Sequence, residues 1–136
     1  MKRFVGLGVG VLIGAALGAG TVSELHAQAG TPVYFVVEAN LQNPQAYVKK
    51  FASKIRSSAE AAGGHLVAVG GAVGPEANSL TALDGTPPSH VVIRRWESTS
   101  ALMAWWHRYG DKMVQQVGKR YAKIRVFAVK AVNGGE

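Results

Sequence analysis

The sequence predicts one α+β domain with the element order β-α-β-β-α-β, and three stretches carry that prediction. Pro32 to Ala39 (PVYFVVEA) is a nearly continuous apolar run, the mark of a central strand buried on both faces. Asn43-Pro44 opens a helix, because Asn caps orphan N–H groups and Pro is tolerated at the first helical position; Tyr47, Phe51, Ile55, Ala59 and Ala62 then recur at spacings of three and four. Ser89 to Trp96 is a β-branched run started by Pro87-Pro88, and it leads directly into a second amphipathic helix.

The remaining elements fill in around these. Parity along the first strand puts Val33, Phe35 and Val37 on one face and Tyr34, Val36 and Glu38 on the other. The first helix shows Lys49, Lys50, Lys54 and Arg56 to water and stops at Gly63-Gly64. His65 to Val69 (HLVAV) is the second strand, closed by Gly70-Gly71. Neither glycine pair precedes a Lys-Ser/Thr pair or joins a strand to a following helix, so they are turn chemistry and not a phosphate cradle. Residues 72–88 read as a long loop, a lid, a dimer arm or a surface connection, with Leu80 to Leu83 as a short strand inside it.

After Trp96, the hydroxyls of Ser98, Thr99 and Ser100 offer caps, and Leu102, Trp105 or Trp106, Tyr109 and Met113 repeat at helical spacing. Gly110-Asp111 reads as a break and recap before a second helical piece, Lys112 to Ala122. Lys123 to Val132 is the last strand, and Asn133 to Glu136 a frayed tail. The whole is the ferredoxin-like split βαβ arrangement.

Composition bounds the class and the address. A chain of 136 residues, 48% hydrophobic and 17% charged, is one globular domain. Met1-Lys2-Arg3 is basic, Phe4 to Gly20 is apolar and rich in Gly and Ala, and Ala27-Gln28-Ala29 supplies a small-x-small cleavage site. Residues 1–29 therefore read as a signal peptide cut between Ala29 and Gly30. Residues 30–136 are then the mature domain, periplasmic or secreted and free of the membrane after cleavage; an uncleaved anchor is the alternative.

With no cysteine in the chain, lipid attachment through cysteine, disulfides and thiol chemistry are all excluded. Net charge is +7, and removal of Lys2, Arg3 and Glu24 leaves +6. The basic residues are scattered and form no recognition motif, so a solvated surface is expected and no nucleic-acid partner.

The mature chain resembles the DUF1330 family over about residues 32–132. The residues that carry the likeness are Val33-Tyr34-Phe35-Val36-Val37-Glu38, the Asn43-Pro44-x-x-Tyr47 helix start, Gly63-Gly64, Leu83-Asp84-Gly85, and Val91-Val92-Ile93 running into Trp96 and Ser98. The sequence departs from the family pattern at Arg95, where an acidic residue is usual, at Glu97 in place of a proline, at His90 in place of an arginine, and at His107-Arg108-Tyr109-Gly110 in place of Ser-Pro-Glu-Tyr. The resemblance implies the dimeric α/β-barrel superfamily of ferredoxin-like domains, and hence a homodimer with the two sheets face to face.

Candidate chemistry is sparse. Taking the first and third strands as adjacent and parallel, Glu38 and Arg94 or Arg95 meet at their C-terminal ends as an ion pair, structural or ligand-orienting. His90 shares a face with Val92 and Arg94 and is a candidate general base. Successive helical positions lie about 100° apart, so only one of Trp105 and Trp106 is expected to face the core, the other being partly exposed or lining a groove. His65, His90 and His107 have no metal-ligand spacing, and no metal or cofactor is expected.

These observations lead to a pocket between sheet and helices for a small apolar or aromatic ligand, lined by Tyr34, Glu38, Arg95, Trp96 and Trp105 or Trp106. Distant relatives with this fold suggest two alternatives: a cofactor-free monooxygenase, or a haem-binding or haem-degrading enzyme with His90 or His107 as acid, base or axial ligand. A purely structural or interaction dimer is a third reading.

Overall fold

The computed structural model describes residues 30–73 and 79–132. Strand β1 (Val33–Leu41) leads into helix α1, built from the consecutive segments Pro44–Ala46, Tyr47–Ala52 and Ser53–Ala61. Strands β2 (His65–Gly71) and β3 (His90–Trp96) follow. Helix α2 then runs through Thr99–Trp105, Trp106–Gly110 and Asp111–Gln116, and a short 3₁₀ turn (Gly118–Arg120) hands the chain to β4 (Ala122–Lys130). The proposed signal segment, its cleavage residue Ala29 and the tail Asn133 to Glu136 lie outside the described residues; Gly30 is the first described residue and is exposed.

The sheet order is β2-β3-β1-β4, and every neighbouring pair is antiparallel. This corrects the parallel β1–β3 pairing expected from the sequence. The crossover through α1 makes β1 and β2 parallel, so β3, which returns antiparallel to β2 and lies between them, must be antiparallel to β1 as well. Glu38 therefore stands opposite Val91 and Arg125, far along β3 from Arg94 and Arg95, which stand opposite Phe35 and Tyr34.

Both helices cover one face of this sheet. Val33, Phe35, Val37 and Ala39 of β1 are buried beneath them, as are His90, Arg94 and Trp96 of β3. Phe35 is the hub: its ring meets Trp105 edge-on at 5.5 Å and Trp106 at 5.8 Å, and Trp105 lies 5.2 Å from Trp96. Burying each large side chain of this cluster contributes about 1.5–3 kcal/mol.

The predicted caps are present. The Asn43 side chain accepts from Ala46 N–H at 3.1 Å, and Ser98 Oγ accepts from Ala101 N–H at 3.1 Å. Residues 80–83 form no strand; the loop is held to β2 where Ser79 Oγ donates to the Val69 carbonyl at 3.0 Å.

Each helix contains a π turn, Tyr47–Ala52 in α1 and Trp106–Gly110 in α2. The wider turn advances fewer degrees per residue, and this lets adjacent indoles reach one phenyl ring: Trp105 is buried and Trp106 half-buried, yet both touch Phe35. Gly110 does not break the helix. It keeps right-handed helical angles, and a Cβ there would lie 2.7 Å from Trp106 and 2.8 Å from Trp105. Its absent side chain makes room for the two indoles.

Gly110→Ala separates these two roles by sign. At an unencumbered helical site alanine stabilises by about 1 kcal/mol, whereas overpacking against indoles costs about 1–3 kcal/mol. The expected net effect is a loss of up to about 2 kcal/mol in urea unfolding, and a gain in stability would restore the helix-break reading.

Candidate functional site

The helix layer does not meet the sheet everywhere. Between α1 and the covered face of β1, β2 and β3 lies a cavity of about 330 Å3 that opens to solvent. Phe35, Val37 and Val92 come from the sheet, and Tyr47, Phe51, Ile55 and Ala59 from α1. The exposed side chains of Val48, Arg56 and Leu66 and the half-buried Val69 and Val73 also line it.

Polar groups converge on this apolar space from two elements. His90 enters from β3, is 5% exposed, and its ring stands edge-on to Tyr47 at 5.7 Å. Its Nδ1 is sealed from water without a hydrogen-bond partner among the described residues. Burial holds the imidazole pKa below its ordinary value, and the Gly70 backbone opposes that only in part. Burial likewise pushes the Tyr47 phenol well above its ordinary range, so it stays protonated.

Arg94, 5% exposed, also lines the cavity. Its Nη1 donates to Glu60 Oε1 at 2.7 Å and to the Gly64 carbonyl at 2.9 Å. That contact holds the exposed Glu60 carboxyl below its ordinary pKa.

The residues proposed from the sequence divide between the two faces of the sheet. Tyr34, Glu38 and Arg95 lie on the open face, where Glu38 pairs with Arg125 and Arg95 Nη1 contacts Glu97 Oε1 at 2.5 Å. They cannot share a pocket with the indoles, which lie beneath the helices. The strand parity that buries Phe35 turns Tyr34 the other way.

Trp96 is wholly buried, and Gly64 packs so close that a Cβ there would lie 2.5 Å from the indole. Its Nε1, like His90 Nδ1, has no partner among the described residues. Of the tandem pair, Trp105 reaches the cavity and bonds Ser58 Oγ through Nε1 at 3.0 Å, whereas Trp106 is not part of the lining. His107 is exposed and lies outside the lining of this cavity.

Sequence reasoning missed Tyr47, Phe51, Arg56 and Arg94 as lining residues. The signal for Arg94 was its alternation with His90 and Val92 on β3, once β3 is set against Phe35 and Val37. Among the described residues there is no cluster of three or more His, Cys, Asp or Glu fit to hold a metal, and no helix long and apolar enough to cross a membrane.

The fold and cavity place the chain among ferredoxin-like α+β domains with a pocket between helix and sheet. The DUF1330 family, a domain of unknown function, matches residues 32–132, and the chain belongs to it. No curated protein matches.

Among solved structures, it is similar to a protein of unknown function from Rhodopseudomonas palustris (16% identity, TM-score 0.52, covering 85% of this chain and 95% of that one). It is also similar to SnoaB, a cofactor-independent oxygenase from Streptomyces nogalater (13% identity, TM-score 0.51, covering 76% and 96%). An EthD-like protein from Ralstonia eutropha shows 12% identity and a TM-score of 0.51, covering 79% and 96%. At these identities the likeness is one of fold.

His90 gives this site a pH signature. The unfolded histidine titrates near 6.5 and the folded one lower, so below that pH the unfolded chain binds more protons. Its contribution to stability is complete above about pH 6.5 and declines as pH falls toward the folded value. Thermal midpoints at mildly acidic and neutral pH are expected to differ less in His90→Leu than in the parent, and identical differences would refute the assignment.

Proposed function

We propose that the protein is an exported homodimer that binds a small apolar or aromatic ligand in the cavity beneath α1. The observation that carries this reading is a space of about 330 Å3 with mainly apolar walls and three buried polar side chains, His90 and Arg94 from β3 and Tyr47 from α1, the usual composition of a small-molecule site. A cavity of about 150 Å3 holds benzene, so the space suits one or two rings.

The open face of the sheet supports the dimer. Val36, Ile93, Phe127 and Val129 share that face, with Phe127 45% and Val129 52% exposed, and a sheet-to-sheet contact of the kind the superfamily uses would cover them. Export rests on the basic, apolar and Ala-x-Ala pattern of residues 1–29.

A second reading, a cofactor-free oxygenase, draws on one observation. His90 is neutral at physiological pH and borders the cavity, as a base that removes a proton from an aromatic substrate would. Consumption of oxygen with a phenolic ligand would favour it over simple binding.

Calorimetric titration with 2-naphthol is expected to show saturable binding that is lost in Ala52→Phe, since Ala52 is part of the cavity wall on α1 and the larger ring fills the space while keeping the parent circular dichroism. Unchanged binding in that variant would move the ligand elsewhere. In sedimentation equilibrium the parent is expected to be a dimer and Ile93→Glu, on the open face, a monomer; a monomeric parent would remove the assembly.

A further inference from the structure

Resting on the cavity reading above, we propose that the ligand is an acid: a flat apolar molecule of one or two rings whose single carboxylate is held by Arg94 and drawn in past Arg56. The lining contains two arginines and no carboxylate. A pocket with mainly apolar walls and this charge balance selects against neutral and cationic molecules of the same shape.

Arg94 is suited to the task because its guanidinium is already fixed. One nitrogen, Nη1, spends its protons on Glu60 Oε1 at 2.7 Å and on the Gly64 carbonyl at 2.9 Å. The Nη2 and Nε groups take no partner among the described residues, and the side chain is 6% exposed and part of the cavity wall. A fixed planar donor whose other edge is unoccupied presents the fork geometry that carboxylates accept.

Glu60 offsets part of the arginine charge, but its own carboxylate is 42% exposed and outside the lining, on the water side of the guanidinium. Arg56 stands one helical turn before Glu60, is exposed, and makes no ion pair among the described residues. It therefore adds a positive charge at the mouth, where it attracts an anion from solution without holding it in one geometry. Tyr47, kept protonated by burial, adds a hydroxyl donor on the helix side of the same space.

The test compares 2-naphthoate with 2-naphthamide, equal in shape and different in charge, on the full exported protein by calorimetry. Naphthoate is expected to bind about tenfold or more tightly, as a charge-assisted hydrogen bond requires. Glu60→Gln, which leaves Arg94 its carbonyl partner and removes the competing carboxylate, is expected to tighten naphthoate and leave naphthamide unchanged. Arg56→Gln, at an exposed position with no partner to lose, is expected to weaken naphthoate about threefold at low salt and not in high salt.

Equal binding of both probes, or a Glu60→Gln variant that weakens naphthoate, would overturn the acid-binding role while leaving an apolar pocket in place. Absence of binding by either probe and by 2-naphthol would overturn the pocket itself.

Discussion

The buried guanidinium of Arg94 constrains much of this molecule. A charge placed on the covered face of a sheet must be matched, and here the match comes from the last turn of α1 through Glu60 and from the Gly64 carbonyl in the turn that follows. Those two contacts tie the end of the helix to the middle of β3, at a residue opposite Phe35. They fix how far α1 can settle onto the sheet at that end. At its other end Tyr47 and Phe51 pack with Ala39, Val114 and Ala122 in a second cluster. The cavity runs along the face of the helix between these two anchors, lined by Phe51, Ile55 and Ala59.

The aromatic cluster does complementary work on the other helix. Phe35, Trp96, Trp105 and the half-buried Trp106 interlock at ring separations of 5.2–6.2 Å, and Gly64 and Gly110 are the places where a side chain would collide with them. This end of the domain is closely packed around the indoles. The two helices thus differ in character: α2 closes its half of the sheet, and α1 leaves a gap over the other half.

Most of the architecture was legible in the sequence because it depends on local rules. The Asn43 and Ser98 caps, the alternation of Val33, Phe35 and Val37, and the Gly63-Gly64 stop each depend on a few neighbouring residues, and all are present. The site was less legible because it depends on how elements are superposed. Strand parity correctly separated Tyr34 from Phe35, but joining Tyr34 to the indoles required both faces at once. The wrong strand direction then paired Glu38 with the wrong arginine, whereas its partner Arg125 comes from β4. The expectation that one of Trp105 and Trp106 is partly exposed holds, Trp106 being half-buried, but that both rings would still reach Phe35 depends on a π turn that no residue type announces.

The π turn in α1 has a consequence for how this domain tolerates change in length. A π turn contains one residue more than the α turn it replaces, so residues 47–52 carry one position that a regular helix would not need. Because the wider turn absorbs that extra residue, deleting one residue there would heal the helix to regular form with the turns ahead of and behind the deletion still nearly in register. Glu60 would still face Arg94, and the Asn43-Pro44 cap would stay beside the Tyr121 carbonyl that the Gln42 and Asn43 N–H groups now share. Substitutions in this stretch alter one wall of the cavity, whereas the loss of one exposed residue removes the bulge and leaves the helix in phase: chain length is looser by one residue here than anywhere else along α1.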